Sequence, residues 1–209
     1  MSLIAKDLSI SRGGIIVLEG MSFTLEPGGA LVLKGPNGIG KTSLLRSLAG
    51  LNPVAAGHLS GVQEQAVYSG HLDGIKPQLS VLENLRFWAA VFGRSPRSDS
   101  LERALEGFDL GPLKHRPAQF LSAGQKRRLG LARLLLAMRP IWLLDEPTIS
   151  LDQASVAGFS QAVKAHLANG GMAVIASHID LGLDAQTLDL TEFRAHAETS
   201  HDPFLSADF

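Results

Sequence analysis

The chain has 209 residues, 45% of them hydrophobic and 19% charged, with a formal net charge of −1 and no cysteine. That is enough for one domain, or one compact two-lobed unit, with a sizeable core. The composition excludes a disulfide framework, a cysteine-ligated metal and any general electrostatic pull toward nucleic acid or anionic lipid.

Residues 1–7 show no charged-then-apolar signal pattern. Residues 3–10, 15–18 and 21–25 read as short strands. They are joined by a hairpin turn at Arg12, Gly13 and Gly14 and closed by a second turn at residues 26–29. This predicts a small antiparallel sheet beside the core. Residues 30–34 are a short apolar run that reads as a buried strand. Gly35, Pro36, Asn37, Gly38, Ile39, Gly40, Lys41 and Thr42 follow, with Ser43 opening a helix that ends at Gly50.

Residues 35–42 fit the pattern G-x-x-x-x-G-K-[ST], a phosphate-binding loop, and the strand before and helix after are the context it requires. The glycines let the backbone approach a phosphate closely. The exposed N–H groups and the helix N-terminus supply partial positive charge to an anion. Lys41 can then reach the β- and γ-phosphates of a nucleotide, and the Thr42 hydroxyl can ligate Mg²⁺.

Beyond that helix, residues 52–57 break the chain, and 66–68 form a short strand. From 75 to 138 the strand signals stop. Ser80 with Glu83 is a capping box opening a helix over 81–92. Phe87 and Trp88 there are additional to an already sufficient apolar stripe, which marks them either as core or as an exposed contact surface. Leu101, Ala104, Leu105 and Phe108 form the face of a second helix, and a third spans roughly 125–138. This stretch reads as a helical lobe inserted between core strands. Residues 141–144 are a buried strand, 155–168 a helix stopped by Asn169 and its glycines, and 172–176 the last core strand. Residues 179–194 read as one helix and one strand. The tail, 195–209, is expected to be poorly ordered. Alternating strands and helices predict an α/β fold with a parallel-sheet core, all within one domain.

Two further segments carry chemistry. Asp145 ends the 141–144 strand, where a carboxylate can support the Mg²⁺ that Thr42 ligates. Glu146 comes next and can polarise an attacking water. Leu121, Ser122, Ala123, Gly124 and Gln125 make a small, hydroxyl-bearing turn at the start of a helix, a second anion-binding geometry.

L-S-x-G-Q between a phosphate loop and a strand ending in Asp-Glu resembles the signature of the ATP-binding-cassette (ABC) ATPases, P-loop NTPases with a RecA-like core. The resemblance covers about residues 3–180. It implies ATP and Mg²⁺ as cofactors, Glu146 and His178 as catalytic residues, and residues 148–152 as the loop that couples two protomers. It also implies a head-to-tail pair in which Ser122 and Gly124 of one copy close on the ATP held by Lys41 of the other. Two positions depart from the family pattern. Where a glutamine usually follows the 66–68 strand, this chain has His71 or Leu72. His71 could hydrogen-bond near Mg²⁺-bound water; Leu72 could not. The first hairpin lacks the aromatic residue that stacks on adenine, leaving Arg12 either to stack by its guanidinium plane or to stay solvated.

Within the family, Arg12 to Gly14, residues 17–23, Gly70 with His71, residues 74–76 and residues 121–128 resemble the ATPase subunits of cytochrome c maturation haem exporters. That implies a second copy of the chain and integral membrane transporter subunits as partners. It implies attachment to the cytoplasmic face of a bacterial inner membrane, with no nucleic acid involved. A soluble cassette ATPase acting on ribosomes or DNA would usually add a second cassette, a long coiled coil or a basic excess. A non-hydrolysing module would not need Lys41, Asp145, Glu146 and His178 together.

Overall fold

The computed structural model describes residues 1–93 and 98–195, with Ser98 described by its backbone alone. The expectation for the tail therefore falls, from residue 196 on, outside the described residues. Among the described residues eight strands and five α-helices follow in chain order: β1 (Leu3–Arg12), β2 (Ile15–Leu25), β3 (Ala30–Lys34), α1 (Lys41–Leu48), β4 (Ala56–Ser60), β5 (Ala66–Ser69), α2 (Val81–Val91), α3 (Ser98–Gly107), α4 (Ala123–Ala137), β6 (Ile141–Asp145), α5 (Gln153–Ala168), β7 (Met172–Ala176) and β8 (Gln186–Asp189).

The core is a five-stranded sheet of order β5-β6-β7-β3-β8, all strands parallel. β6 and β7 are buried along their whole length, as their unbroken apolar sequences require of central strands in a parallel sheet. Successive side chains go to opposite faces. Ile141 and Leu143 join Leu31, Leu33 and Val174 on the face covered by α1 and the antiparallel sheet. Trp142 and Leu144 join Ala173, Ile175 and Phe159 on the other face. That second core runs on without a break into the helical lobe, through Leu129 and Ala132 of α4, Val81 and Leu85 of α2, and Leu101 and Leu105 of α3.

The antiparallel sheet differs from its predicted form. Residues 15–18 and 21–25 are one continuous strand, β2, bent where the β1–β2 register shifts. A third strand, β4, pairs with β1 where the sequence shows only breaks. β4 is a short edge strand with three exposed residues out of five, so it lacks the alternation that reveals a strand. Residues 179–185 form no helix. The chain crosses to β8 on the sheet edge and ends in a 3₁₀ turn, Leu190–Phe193.

The other elements lie where the sequence puts them. Ser80 caps α2, its side chain accepting from the Glu83 N–H while the Glu83 carboxylate takes the Ser80 N–H. The decisive feature for the site is the register. Leu33 and Asp145 both align with Ala176, so the carboxyl ends of β3, β6 and β7 finish side by side. In open parallel sheets that edge is where ligands bind.

Candidate functional site

A cleft of about 480 Å³ opens at the carboxyl edge of the sheet. Loops after β3, β5, β6 and β7 bring to it Asn37, Gly38, Gly40, Lys41, Thr42, Ser43, His71, Asp145, Glu146 and His178. Residues separated by more than a hundred positions thus meet because each follows a parallel strand.

The loop of residues 35–40 is built on its glycines. Gly35, Gly38 and Gly40 have φ of 128°, 84° and 125°. A Cβ on Gly40 would come within 2.9 Å of Leu18, so the loop also needs glycine for its packing on β2. Lys41 is buried, and its Nζ donates to the carbonyl oxygens of Gly35 (2.7 Å) and Pro36 (3.4 Å). The ammonium is therefore already curled over the loop.

Asp145 is 1% exposed. Its Oδ2 accepts a hydrogen bond from the Tyr68 hydroxyl at 3.1 Å and stands 3.8 Å from His71 Nε2. Glu146 follows with φ 47°, a left-handed conformation costing on the order of 1–3 kcal/mol for a residue with a side chain. Its N–H donates to Ala176 O (2.8 Å) and its C=O accepts from Arg127 Nη2 (2.8 Å). The carboxylate Oε1 lies 3.4 Å from His178 Nε2, and that nitrogen is 3.1 Å from Asn37 Oδ1. Glu146, His178 and the phosphate loop are thus linked by side chains alone.

Of the two residues at the glutamine position, His71 lines the cleft and Leu72 is 87% exposed to solvent. Arg12 lines the main cleft and an adjoining one of about 370 Å³ shared with Val17, Asn37 and Arg194. The signature turn is elsewhere. Ser122, Gly124 and Gln125 do not line the cleft. Ser122 caps α4, its Oγ accepting from the Gln125 N–H (3.2 Å) while Gln125 Oε1 accepts from the Ser122 N–H (3.0 Å). A Cβ on Gly124 would lie 2.8 Å from Ser150 O, so the turn packs directly against the loop before α5. In that loop Asp152 caps α5 by accepting from Ser155 N (2.8 Å), and those hydrogen bonds hold its carboxyl below the usual range.

The oxygen donors fit Mg²⁺ better than a protein-only metal cage. Thr42 and Asp145 share the cleft wall, while among the described residues no cluster of three or more His, Cys, Asp or Glu could hold a metal. Mg²⁺ typically takes one or two protein oxygens and completes its shell with phosphates and water.

Two site residues escape the sequence reading. Tyr68 appears there only as part of a strand, and Arg127 only within residues 121–128. Arg127 is 5% exposed and bonds the backbone on both sides of the site. The available signal is spacing: Arg127, Gly130 and Arg133 recur every three residues on the buried face of α4. A cation at core spacing needs buried partners.

The sequence profile of the ABC transporter family matches residues 18–149. The cytochrome c biogenesis ATP-binding export protein CcmA of Ruegeria pomeroyi is 61% identical over 203 residues, covering 97% of this chain and 98% of that protein. CcmA of Rhodobacter capsulatus is 60% identical over 197 residues, covering 93% and 90%. Among solved structures, a candidate ABC transporter ATP-binding protein from Pyrococcus furiosus superposes with a TM-score of 0.83 at 25% identity, covering 93% of this chain and all of that one. An ABC transporter cassette in its ADP conformation gives 0.75 at 22% identity, covering 91% and 87%.

Proposed function

The chain belongs to the ABC transporter family, as an ATPase of the cytochrome c biogenesis export type, and on that premise we propose that it drives membrane subunits exporting haem by working as a head-to-tail pair. The observation that carries the ATPase assignment to residues is the placement of Glu146 Oε1 3.4 Å from His178 Nε2 at the mouth of the Lys41 cleft.

Lys41 and the loop N–H groups bind the phosphates. Thr42 and Asp145 would hold Mg²⁺, which when bound offsets phosphate charge. Glu146 orients the attacking water and accepts its proton. His178, steadied by Asn37 Oδ1, faces the terminal phosphate and stabilises the charge that builds there. His71 stands where the family glutamine usually does, close enough to Asp145 to bond a water shared between them. A second copy supplies Ser122 and Gly124, whose turn lies outside this chain's own cleft and opens α4, so that the helix N-terminus offers partial positive charge to an anion. The water that Glu146 orients is then set to attack the terminal phosphate only when both copies have closed, which couples hydrolysis to assembly.

Among the described residues no helix is long and apolar enough to cross a membrane, so attachment rests on partners. Phe87 and Val91 of α2, 36% and 55% exposed and one helical turn apart, offer an apolar docking surface. The test is a pull-down from detergent-solubilised inner membranes. Integral membrane subunits should be recovered, and their presence should raise ATP turnover. Recovery of nucleic acid instead, or turnover indifferent to the membrane subunits, would sink the proposal.

A further inference from the structure

The Arg127 guanidinium faces inward from the second turn of α4. Its Nε donates to Pro147 O at 3.0 Å, Nη2 to Glu146 O at 2.8 Å and to Asp145 O at 3.4 Å. Its Nη1 donates to Gly70 O at 2.9 Å and to Asp73 Oδ1 at 2.8 Å. Every nitrogen is used. The acceptors belong to two segments, the end of β6 and the loop after β5.

Charge neutralisation alone does not require this pattern. Asp73 supplies the counter-charge, and a buried ion pair of this kind is weak evidence for stability in itself. The three consecutive carbonyls of Asp145, Glu146 and Pro147 are the informative part. Glu146 has φ 47°, a region that residues with a Cβ leave unless their surroundings hold them. The β7 carbonyl of Ala176 holds its N–H side, and Arg127 holds its C=O side. The planar guanidinium fork can bind several carbonyls at fixed angles, which a single ammonium cannot.

Asp73 is fixed in turn. Its carbonyl accepts from Arg133 Nη1 at 3.1 Å, and the next carbonyl, Gly74 O, accepts from Trp88 Nε1 at 3.1 Å. A Cβ on Gly130 would lie 2.6 Å from Asp73 Oδ1, so α4 is shaped to admit this carboxylate.

We propose that Arg127, anchored by Asp73, is the positioning residue for the Glu146 carboxylate: it holds that strained residue facing His178 and the cleft. The inference rests on Glu146 being the residue that orients water. Arg127 lines no part of the cleft, so it contributes to turnover through geometry and leaves phosphate binding to Lys41.

The test compares Arg127→Lys, Asp73→Asn and Glu146→Gln in the full chain, measuring kcat, ATP affinity and Tm. Misplacing a reacting group by about an ångström can cost on the order of 10²-fold, so Arg127→Lys should lower kcat about 10- to 100-fold. ATP affinity should stay within about twofold, since a loss confined to the transition state lowers kcat alone. Asp73→Asn should lower kcat less, and the double variant should be no slower than Arg127→Lys, because both act through one unit. A parental kcat in either folded variant overturns the inference, as does an affinity that falls in step with kcat. If Arg127→Lys does not fold, Asp73→Asn decides by the same criterion. If Glu146→Gln itself hydrolyses ATP at the parental rate, the reading of Glu146 fails and this inference with it. An inactive Glu146→Gln beside a fully active Asp73→Asn fails the inference alone.

Discussion

Tyr68 donates its hydroxyl to Asp145 Oδ2 across 3.1 Å, from the strand that neighbours β6 in the sheet. Asp145 is among the most deeply buried carboxylates of the chain, so a hydroxyl donor offsets part of its lost hydration. The contact also marks the tyrosine. Burial first, then the charge of Asp145 and its hydrogen bond, push the Tyr68 hydroxyl up to about 12.

Tyr68→Phe should therefore act on stability and on metal dependence together. A hydrogen bond to a charged group contributes about 1.5–3 kcal/mol. The raised pKa makes the contribution complete below the usual tyrosine value of about 10 and lost as pH rises through about 12. Unfolding midpoints measured from pH 8 to 12 should show an alkaline decline in the parent that is smaller in the variant. Loss of an outer partner of a metal-binding carboxylate typically costs about 10–100-fold in affinity. The Mg²⁺ concentration for half-maximal ATPase should rise accordingly. A variant matching the parent in both curves removes this role from Tyr68.

His166 predicts the opposite pH behaviour. Its ring stacks on Trp142 with centroids 4.0 Å apart and planes 10° from parallel, and its Nε2 lies 3.1 Å from Pro140 O and 3.2 Å from Met172 O. Burial lowers its pKa, against the two carbonyls that favour the proton. A lowered folded-state value means the unfolded chain binds the proton more readily. Stability is then full above about pH 6.5 and falls as pH drops below it. His166→Asn keeps a polar side chain without the titration. Its Tm should vary less between pH 7.5 and 5 than the parent's, and an equal slope would assign the acid sensitivity to other groups.

How much of this was legible beforehand depends on what each feature uses as its signal. The placement of residues 35–42, Asp145 and Glu146 is readable because its signal is local: a short apolar strand with the polar residues at or just past its end. β6 and β7 are readable because central strands are apolar throughout. β4 is not, since an edge strand with Gly57 and His58 exposed owes its shape to pairing with β1. Arg127 and Tyr68 are not, because their roles come from contacts with residues 18 to 77 positions away. His71 could be separated from Leu72 only by where the loop turns them. The left-handed Glu146 is likewise a tertiary feature, imposed by Ala176 and Arg127 on a residue whose local preference is otherwise.

The two aromatic residues singled out on α2 part company in the fold. Trp88 donates to Gly74 O and lies under the Arg133 guanidinium at 4.7 Å, whereas Phe87 is exposed beside the Lys76 ammonium. Trp88→Ala should lower stability by roughly 2–3 kcal/mol, less than a fully buried aromatic truncation because the ring is only half-buried. Phe87→Ala should change stability by less than about 0.5 kcal/mol, as surface substitutions do. If the α2 surface docks the membrane subunits, Phe87→Ala should nonetheless weaken recovery of the complex from solubilised membranes. Parental recovery with Phe87→Ala would move the docking surface elsewhere.

Glu146→Gln should separate binding from hydrolysis. Glutamine keeps the size of the side chain and an oxygen to face His178 Nε2, but it cannot accept a proton from water. The backbone bonds to Ala176 and Arg127 do not involve the carboxylate, so the loop should keep its shape. Lys41, Thr42 and Asp145 are untouched, so ATP affinity should persist. Loss of general-base assistance costs about 10²–10⁴ in rate. Unhydrolysed ATP would then stay between Lys41 of one subunit and the Ser122 turn of the other, and the variant should accumulate as an ATP-dependent dimer. Adding Ser122→Arg should abolish that dimer, because a bulky cation displaces the capping hydroxyl from the turn. Size-exclusion chromatography with ATP and Mg²⁺, run beside an ATPase assay, reads both effects. Parental turnover by Glu146→Gln would remove Glu146 from the chemistry. An inactive variant that never dimerises, even with its membrane subunits present, would leave Glu146 in place and remove the paired site.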